Sequence, residues 1–310
     1  MLDPRPDAPV ALLTAASAVH LDTDLPLLVE ALEGLDLPPA VVDWHDAAHD
    51  WSGHDLVVVR STWDYTDHLG GFLATLRHVA GSAELTNPVD VIAANVDKRY
   101  LTRLADRGVP VVPTTVVEVG EPFEPPPDPF VVKPVVSAGA RDTERYEPTD
   151  VEAARSHVAA LHAAGRAVLV QPYVAAVDEA GETGLVFLGD ELSHGFRKGP
   201  LLRAGVPYVE GLYREEQISP RDPSGEERAA ADAVLDAVSA VEPSTDRQDL
   251  LYARVDLVPG PDGPLLMELE LVEPSLFLET DDAAPSRAAA AIARHREVVL
   301  DRGSAPGRRG

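Results

Sequence analysis

Apolar and polar positions change period several times along the chain, and those changes predict its elements. Val10–Thr14 is a short apolar run, read as a strand. Leu25–Leu35 has helical spacing, with Asp22–Asp24 as capping residues and Pro26 near the first turn. Ala40–Asp43 and Asp55–Arg60 read as strands. The second carries an unbroken LVVV run, as a parallel strand covered on both faces does. Leu69–Val79 returns to the helical period. The first hundred residues therefore predict β-α-β-β-α, an open α/β layer. Two helices follow, Val89–Asn95 and Asp97–Arg107, with Gly108 as a C-cap, then a strand at Val111–Val117 and a Pro-rich acidic stretch at 120–129.

Strand Phe130–Lys133, a Ser-Ala-Gly-Ala turn, helix Val151–Ala164 and strand Ala167–Gln171 form a second section. A third holds strands Glu182–Leu188 and Leu192–Arg197, an irregular stretch at 199–225, helix Glu226–Val241 and two strands flanking the turn PGPDGP at 259–264. Helix Arg287–Val299 and a polar tail at 303–310 finish the chain. No internal repeat is visible.

The strongest pattern is the hairpin at 252–271, whose arms alternate with period two. A turn centred on Asp262 sets Asp256 opposite Glu268 and Arg254 opposite Glu270, all four on one face. The other face carries Ala253, Val255, Leu257, Met267, Leu269 and Leu271 and must pack on the core. Opposed Cβ atoms lie roughly 5 Å apart, so three carboxylates at that spacing repel unless a cation sits among them. A hard divalent ion takes oxygen ligands and bridges carboxylates to phosphates. Arg254 would add a phosphate clamp. A solvent-facing hairpin with a cross-strand Arg–Glu pair would show the same spacing.

Composition sharpens this. The 310 residues include 52 acidic and 26 basic ones, for a net charge of −26. Such a surface repels phosphate backbones and anionic membranes, so no nucleic-acid or membrane partner is expected. The chain has no cysteine, which excludes disulfide and thiolate chemistry. No apolar run reaches the roughly 20 residues that span a bilayer. The N-terminus shows no basic-then-apolar signal, so a cytoplasmic location is expected. Only three basic residues are lysines, Lys98, Lys133 and Lys198. A chain otherwise committed to arginine marks these as ammonium point charges that a planar guanidinium does not replace. Carboxylate-held magnesium with separated ammonium groups is what a nucleoside triphosphate needs where no phosphate loop exists. The motifs GxxxxGK[ST], GxGxxG, GxSxG and HExxH are all missing. His45 and His49, with Asp46, Asp50, His54 and Asp55, sit in a short connection between strands and read as a solvated loop rather than a zinc site.

The ordered segments RSTWDY (60–65), NVDK (95–98), FVVKP (130–134), VQPYV (170–174), SHGFRKGP (193–200), ARVD (253–256) and ELELVEPS (268–275) resemble the ATP-grasp superfamily. The likeness runs from about Asp55 to Ala290 and is nearest the branch of the D-cycloserine ligases of antibiotic biosynthesis, with bacterial glutathione synthetase more distant. The resemblance implies an α/β (α+β) ATP-grasp fold. An N-terminal substrate-binding domain would span residues 1–95, a small subdomain with the phosphate loop 96–175, and a large subdomain with the magnesium site 176–310.

It also implies residue roles. Lys98 and Lys133 would contact nucleotide. Ser137 and Gly139 belong to a loop over the β- and γ-phosphates, although one glycine is few for that loop. Gln171, Tyr173 and Val174 resemble the hinge that reads adenine, and Asp178 or Glu182 would suit ribose. Lys198 and Arg254 resemble the catalytic cations near the transferred phosphate. Asp256, Glu268 and Glu270 match the metal ligands, for Mg²⁺ in two copies or Mn²⁺. Many relatives have Asn at the third position, so Glu270 either ligates or pairs with Arg254. Arg60, Ser61, Trp63, Asp64, Tyr65 and Ser275 would shape the acceptor pocket.

The implied reaction is ATP-dependent activation of a carboxylate as an acyl phosphate and its capture by nitrogen, with ring closure of O-ureido-D-serine to D-cycloserine the nearest case. The partners would be small-molecule acids and amines, and relatives commonly form homo-oligomers. A glutathione-synthetase-like ligase for another small substrate, and a non-catalytic ATP-binding module, are the alternatives.

Overall fold

The computed structural model describes residues 1–202 and 217–304. Residues 203–216, within the stretch expected to be irregular, and residues 305–310 of the polar tail lie outside the described residues.

The first layer contains β1 (Val10–Thr14), α1 (Asp24–Glu33), β2 (Ala40–Asp43), β3 (Leu56–Val59), α2 (Leu69–Ala80) and β4 (Glu84–Thr86). Its four strands lie in the order β2-β1-β3-β4, all parallel. Three of them coincide with the apolar runs. The fourth is three residues long, too short for alternation to mark it.

Next come α3 (Val89–Asn95), α4 (Tyr100–Asp106), β5 (Thr115–Val117), β6 (Phe130–Pro134), β7 (Glu144–Tyr146), α5 (Val151–Ala163) and β8 (Val168–Pro172). The second sheet runs β5-β8-β6-β7 and is antiparallel. β5 is shorter than the run Val111–Val117, because Pro113 offers no N–H to a ladder. Val112 bonds Leu266 O at 3.0 Å instead.

Last come α6 (Val177–Ala180), β9 (Glu182–Leu188), β10 (Glu191–Lys198), β11 (Ile218–Pro220), α7 (Gly225–Asp236), β12 (Tyr252–Gly260), β13 (Gly263–Glu270) and α8 (Ala284–Ser304). The third sheet is antiparallel in the order β11-β10-β9-β12-β13. α7 opens on a Ser224–Glu227 capping box. It ends five residues short of the predicted Val241, passing into a 3₁₀ turn at Val238–Ala240.

Helix α8 returns to the first layer. Ala288, Ala289 and Ile292 share one core with Leu25, Leu28 and Leu32 of α1 and with Val186 and Phe196 of the third sheet. Across that sheet, Val234 and Leu235 of α7 pack with Val255, Leu257 and Leu269, and with Leu101 of α4. Two buried side chains stitch the first layer to the ends of β12 and β13 and to the segment that follows β13. The Asn87 amide donates to Tyr252 O (2.9 Å) and Leu271 O (2.8 Å) and accepts from Leu251 N (2.8 Å). Asp24 accepts from the amides of Leu276, Phe277 and Leu278 at 2.6, 3.2 and 2.7 Å.

Candidate active site

The hairpin β12–β13 pairs Arg254 with Glu270 and Asp256 with Glu268, as its alternation predicts. The route to that register differs. Gly260 pairs with Gly263, so the turn is the two residues Pro261-Asp262, and a bulge separates the Asp256–Glu268 pair from Leu257–Leu266. Met267 is the extra residue. A bulge re-aims side chains, and Met267 faces the cleft instead of the core face expected for it. Without the bulge, the two-residue turn would have set Glu268 against Val255 on the core side.

Between the second and third sheets lies a cleft of about 180 Å³, closed at one end by the first layer. Lys98, Lys133 and Lys198 all reach it, from the α3–α4 junction, β6 and β10, and all three are buried. Lys98 Nζ ion-pairs with Glu268 at 2.8 Å and donates to Ser137 O at 2.7 Å. Burial alone would draw its ammonium down, but the Glu268 charge outweighs that and holds the pKa above its ordinary value. Lys198 pairs with Glu182 at 2.9 Å and Asp256 at 3.1 Å. Lys133 is different. Among the described residues no hydrogen bond or ion pair reaches its ammonium, and burial, with Lys98 nearby, draws its pKa down despite Glu268. A buried cation beside a cleft is costly unless an anion joins it.

Arg254 chelates Asp256 through Nε (3.0 Å) and Nη2 (2.9 Å), pairs with Glu270, and donates from Nη1 to Ser275 O at 3.0 Å. Arg254 and Lys198 hold the Asp256 carboxyl below its usual range against the effect of burial. Lys98 and Lys133 do the same for Glu268. Glu270 goes the other way: burial and the charges of Glu268 and Asp256 outweigh Arg254 and raise its pKa to about 8.

The three acids expected to share a metal are thus each engaged by basic groups. Among the described residues no three carboxylate or imidazole side chains gather closely enough to hold an ion. Glu268 and Glu270 line the cleft. Asp256 is 1% exposed and lies beneath Arg254 and Lys198. The donor set is all oxygen, which in kind suits a hard dication.

Of the other expected residues, Ser137, Gly139, Gln171, Tyr173, Val174, Glu182, Trp63, Tyr65 and Ser275 line the cleft. The loop at 137–142 takes left-handed backbone at Gly139, Ala140 and Asp142, with φ of 60°, 56° and 54°. Four expectations are corrected. Arg60 is 2% exposed and points into the interior, 3.5 Å from Asp24, with Nη2 on Pro274 O at 3.1 Å. Ser61 bonds Thr14 Oγ1 at 2.7 Å. Asp64 accepts from Trp44 Nε1 at 2.7 Å and Ser17 Oγ at 2.8 Å, inside the first layer. In each case a polar partner in the first layer takes the side chain that was assigned to substrate. Asp178 is half exposed and accepts from the Tyr173 hydroxyl at 2.5 Å, with Arg145 at 3.6 Å, so of the two ribose choices only Glu182 lies on the cleft. The His45–His54 region forms a pair of stacked imidazoles, His49 and His54, with Nε2 atoms 2.8 Å apart.

The sequence did not single out Asn95, Tyr100 or Glu273, which also line the cleft. Asn95 donates to Leu269 O at 3.0 Å and accepts from Leu271 N at 2.9 Å, while the Tyr100 hydroxyl accepts from Leu269 N at 2.9 Å. Together they fix the outer edge of β13. Period-two alternation continued past Glu270 gives no reason to place Glu273 beside it, because the chain leaves the strand at Glu270.

A parallel α/β layer followed by two antiparallel sheets that close on a lysine- and acid-lined cleft defines the ATP-grasp ligases. The comparisons with known proteins narrow the class. Residues 10–87 match the family model for the N-terminal domain of D-cycloserine synthetase DcsG. The cycloserine biosynthesis protein DcsG of Streptomyces lavendulae is 39% identical over 297 residues, which span 92% of this chain and 97% of that protein. A crystal structure of D-cycloserine synthetase DcsG matches with a TM-score of 0.83 at 37% identity, over 93% of this chain and 99% of that one. D-alanine–D-alanine ligase from Bacillus anthracis, complexed with ATP, shares the fold at TM-score 0.67 and 14% identity, over 95% and 98% of the two chains. The chain belongs to the D-cycloserine synthetase family.

Proposed function

We propose that the chain is an ADP-forming ligase that activates the carboxylate of O-ureido-D-serine as an acyl phosphate. The oxygen-bearing ureido nitrogen displaces phosphate to close the ring, and hydrolysis releases the carbamoyl group as carbon dioxide and ammonia to leave D-cycloserine. The observation that carries this reading is the convergence of all three lysines on one cleft, with Lys133 buried there and no counter-ion reaching it among the described residues. A polyphosphate supplies the missing negative charge. The family supplies the choice of acid, through similarity to a cycloserine biosynthesis protein.

In this reading Lys98 and Lys133 bind the nucleotide phosphates, while Gln171, Tyr173 and Val174 border the base. The loop at 137–142 covers the terminal phosphates, its left-handed residues turning amide groups toward them. Glu268 and Glu270, the two acids that line the cleft, would hold magnesium, which would neutralise charge on the transferred phosphoryl group, while Asp256 holds Arg254 and Lys198 from beneath. Lys198 and Arg254 steady the phosphoryl oxygens and then the tetrahedral centre formed when nitrogen attacks. The protein contributes position and charge rather than a covalent nucleophile. Trp63, Tyr65 and Ser275 border the acceptor end.

The test is ADP release. O-ureido-D-serine should drive it and D-alanine or D-serine should not, with D-cycloserine as the product. Lys133→Ala should cut kcat/KM for ATP by about 100-fold or more. Its melting temperature should not fall, because an unpaired buried charge has gone. Near-normal turnover in that variant would refute the assignment.

A further inference from the structure

Glu273 is a carboxylate the proposed reaction does not use. It follows β13 and is 9% exposed, with its side chain on the cleft wall. Among the described residues no side-chain donor hydrogen-bonds or ion-pairs with it. The neighbouring cations are already committed, Lys98 to Glu268 and Arg254 to Asp256 and Glu270. Its backbone is fixed from the first layer: Trp63 Nε1 donates to Glu273 O at 3.4 Å, and Arg60 holds Pro274 O at 3.1 Å. The ring of Tyr65, stacked on Phe72 at 5.0 Å, also lines the cleft. This end of the cleft thus offers one buried acid met by its own backbone N–H but by no side-chain donor among the described residues, a second acid in Glu270, and two aromatic rings.

We infer that Glu273 is the receptor for a positively charged amine on the substrate, so that the acid activated here is an α-amino acid bound with its ammonium group on Glu273 and its carboxylate toward Arg254. The inference rests on the ligase reading and names the part of the substrate that reading leaves unbound. Three observations favour a cation at this point. Burial of an unpaired carboxylate is costly, and a ligand ammonium removes the cost. The nearby charge of Glu268 adds to the pull. Trp63 and Tyr65 line the same end of the cleft, and aromatic rings add attraction for an ammonium. In keeping with a missing partner, burial drives the carboxyl up to about 7, against the opposing charge of Lys98.

The test compares O-ureido-D-serine with its desamino analogue, 3-(ureidooxy)propanoic acid, in wild type and in Glu273→Gln. ADP release and calorimetry are the readouts. The wild type should prefer the amine-bearing compound by about 30-fold or more in KM, as loss of one partner of a buried charge pair dictates. Glu273→Gln should raise KM for that compound by a similar factor and move the analogue far less, so the preference collapses. ATP affinity by calorimetry checks that the variant is folded. Should the variant fail to fold, the wild type alone decides, through the calorimetric affinities of the two compounds. Equal affinity in the wild type, or a preference that survives in Glu273→Gln, overturns the inference while the ligase reading stands. No ADP from the wild type with either compound sinks the ligase reading and the amine receptor with it.

Discussion

At the scale of single residues, the chemistry is a matter of which charges are matched. Lys98, Lys198 and Arg254 are each ion-paired, whereas Lys133 and Glu273 are buried without an ion-pair partner among the described residues. That distinction cannot be read in the sequence. Lysine scarcity pointed to all three lysines at once, and the acid pattern pointed to Asp256, Glu268 and Glu270, but nothing in spacing tells a matched charge from an unmatched one. The same blindness explains Arg60, Ser61 and Asp64. Their position after a buried strand suggested a ligand, and only the fold shows Asp24, Thr14 and Trp44 waiting for them. A pH effect follows from Glu273. Its carboxyl, raised to about 7, is ionised above that pH and neutral below it. Affinity for a cationic substrate should therefore weaken as pH falls through about 7, by at most about tenfold per unit. KM for O-ureido-D-serine, measured between about pH 5.5 and 8.5, should show this limb in wild type and lose it in Glu273→Gln.

At the scale of elements, period-two and helical patterning located most strands and helices, and the cross-strand pairs of the hairpin came out as expected. Short pieces escaped: β4, β7 and β11 have three residues each, too few for period-two alternation to stand out. The bulge at Met267 also escaped, because it depends on how tightly Pro261-Asp262 can turn. A second close contact sits on β9. Gly184 pairs with Asp256 on one side and Phe196 on the other. A Cβ added there would lie 2.1 Å from the Phe196 ring. That ring packs on Phe277 at 4.6 Å and lies 5.9 Å from the Arg254 guanidinium. Gly184→Ala should therefore cost about 1–3 kcal/mol of stability. It should also lower kcat by disturbing Arg254. Urea unfolding and steady-state rates would check both, and a neutral outcome in both would show that Phe196 can move freely.

At the scale of the whole molecule, the first and last segments of the chain form one core. Ile292 of α8 is 3% exposed among Leu25, Leu28 and Leu32 of α1. The sequence predicted a helix at this end, but amphipathic spacing names a buried face without naming its partner. Ile292→Asp buries an unpaired charge and should cost about 3 kcal/mol or more in urea unfolding. Because the same core backs β9 and β10, the loss should appear as a single transition that takes Lys198 with it; a separate early unfolding of the first layer would show that the layers are uncoupled.

The lysine distribution has a practical result. Lys98, Lys133 and Lys198 are 8%, 6% and 6% exposed, and the sequence has no others. Reagents that acylate ε-amines find no such target on the outer shell of this protein. Any acyl group that does attach to a lysine has entered the cleft, so the pace of its attachment is a direct gauge of whether that space is filled.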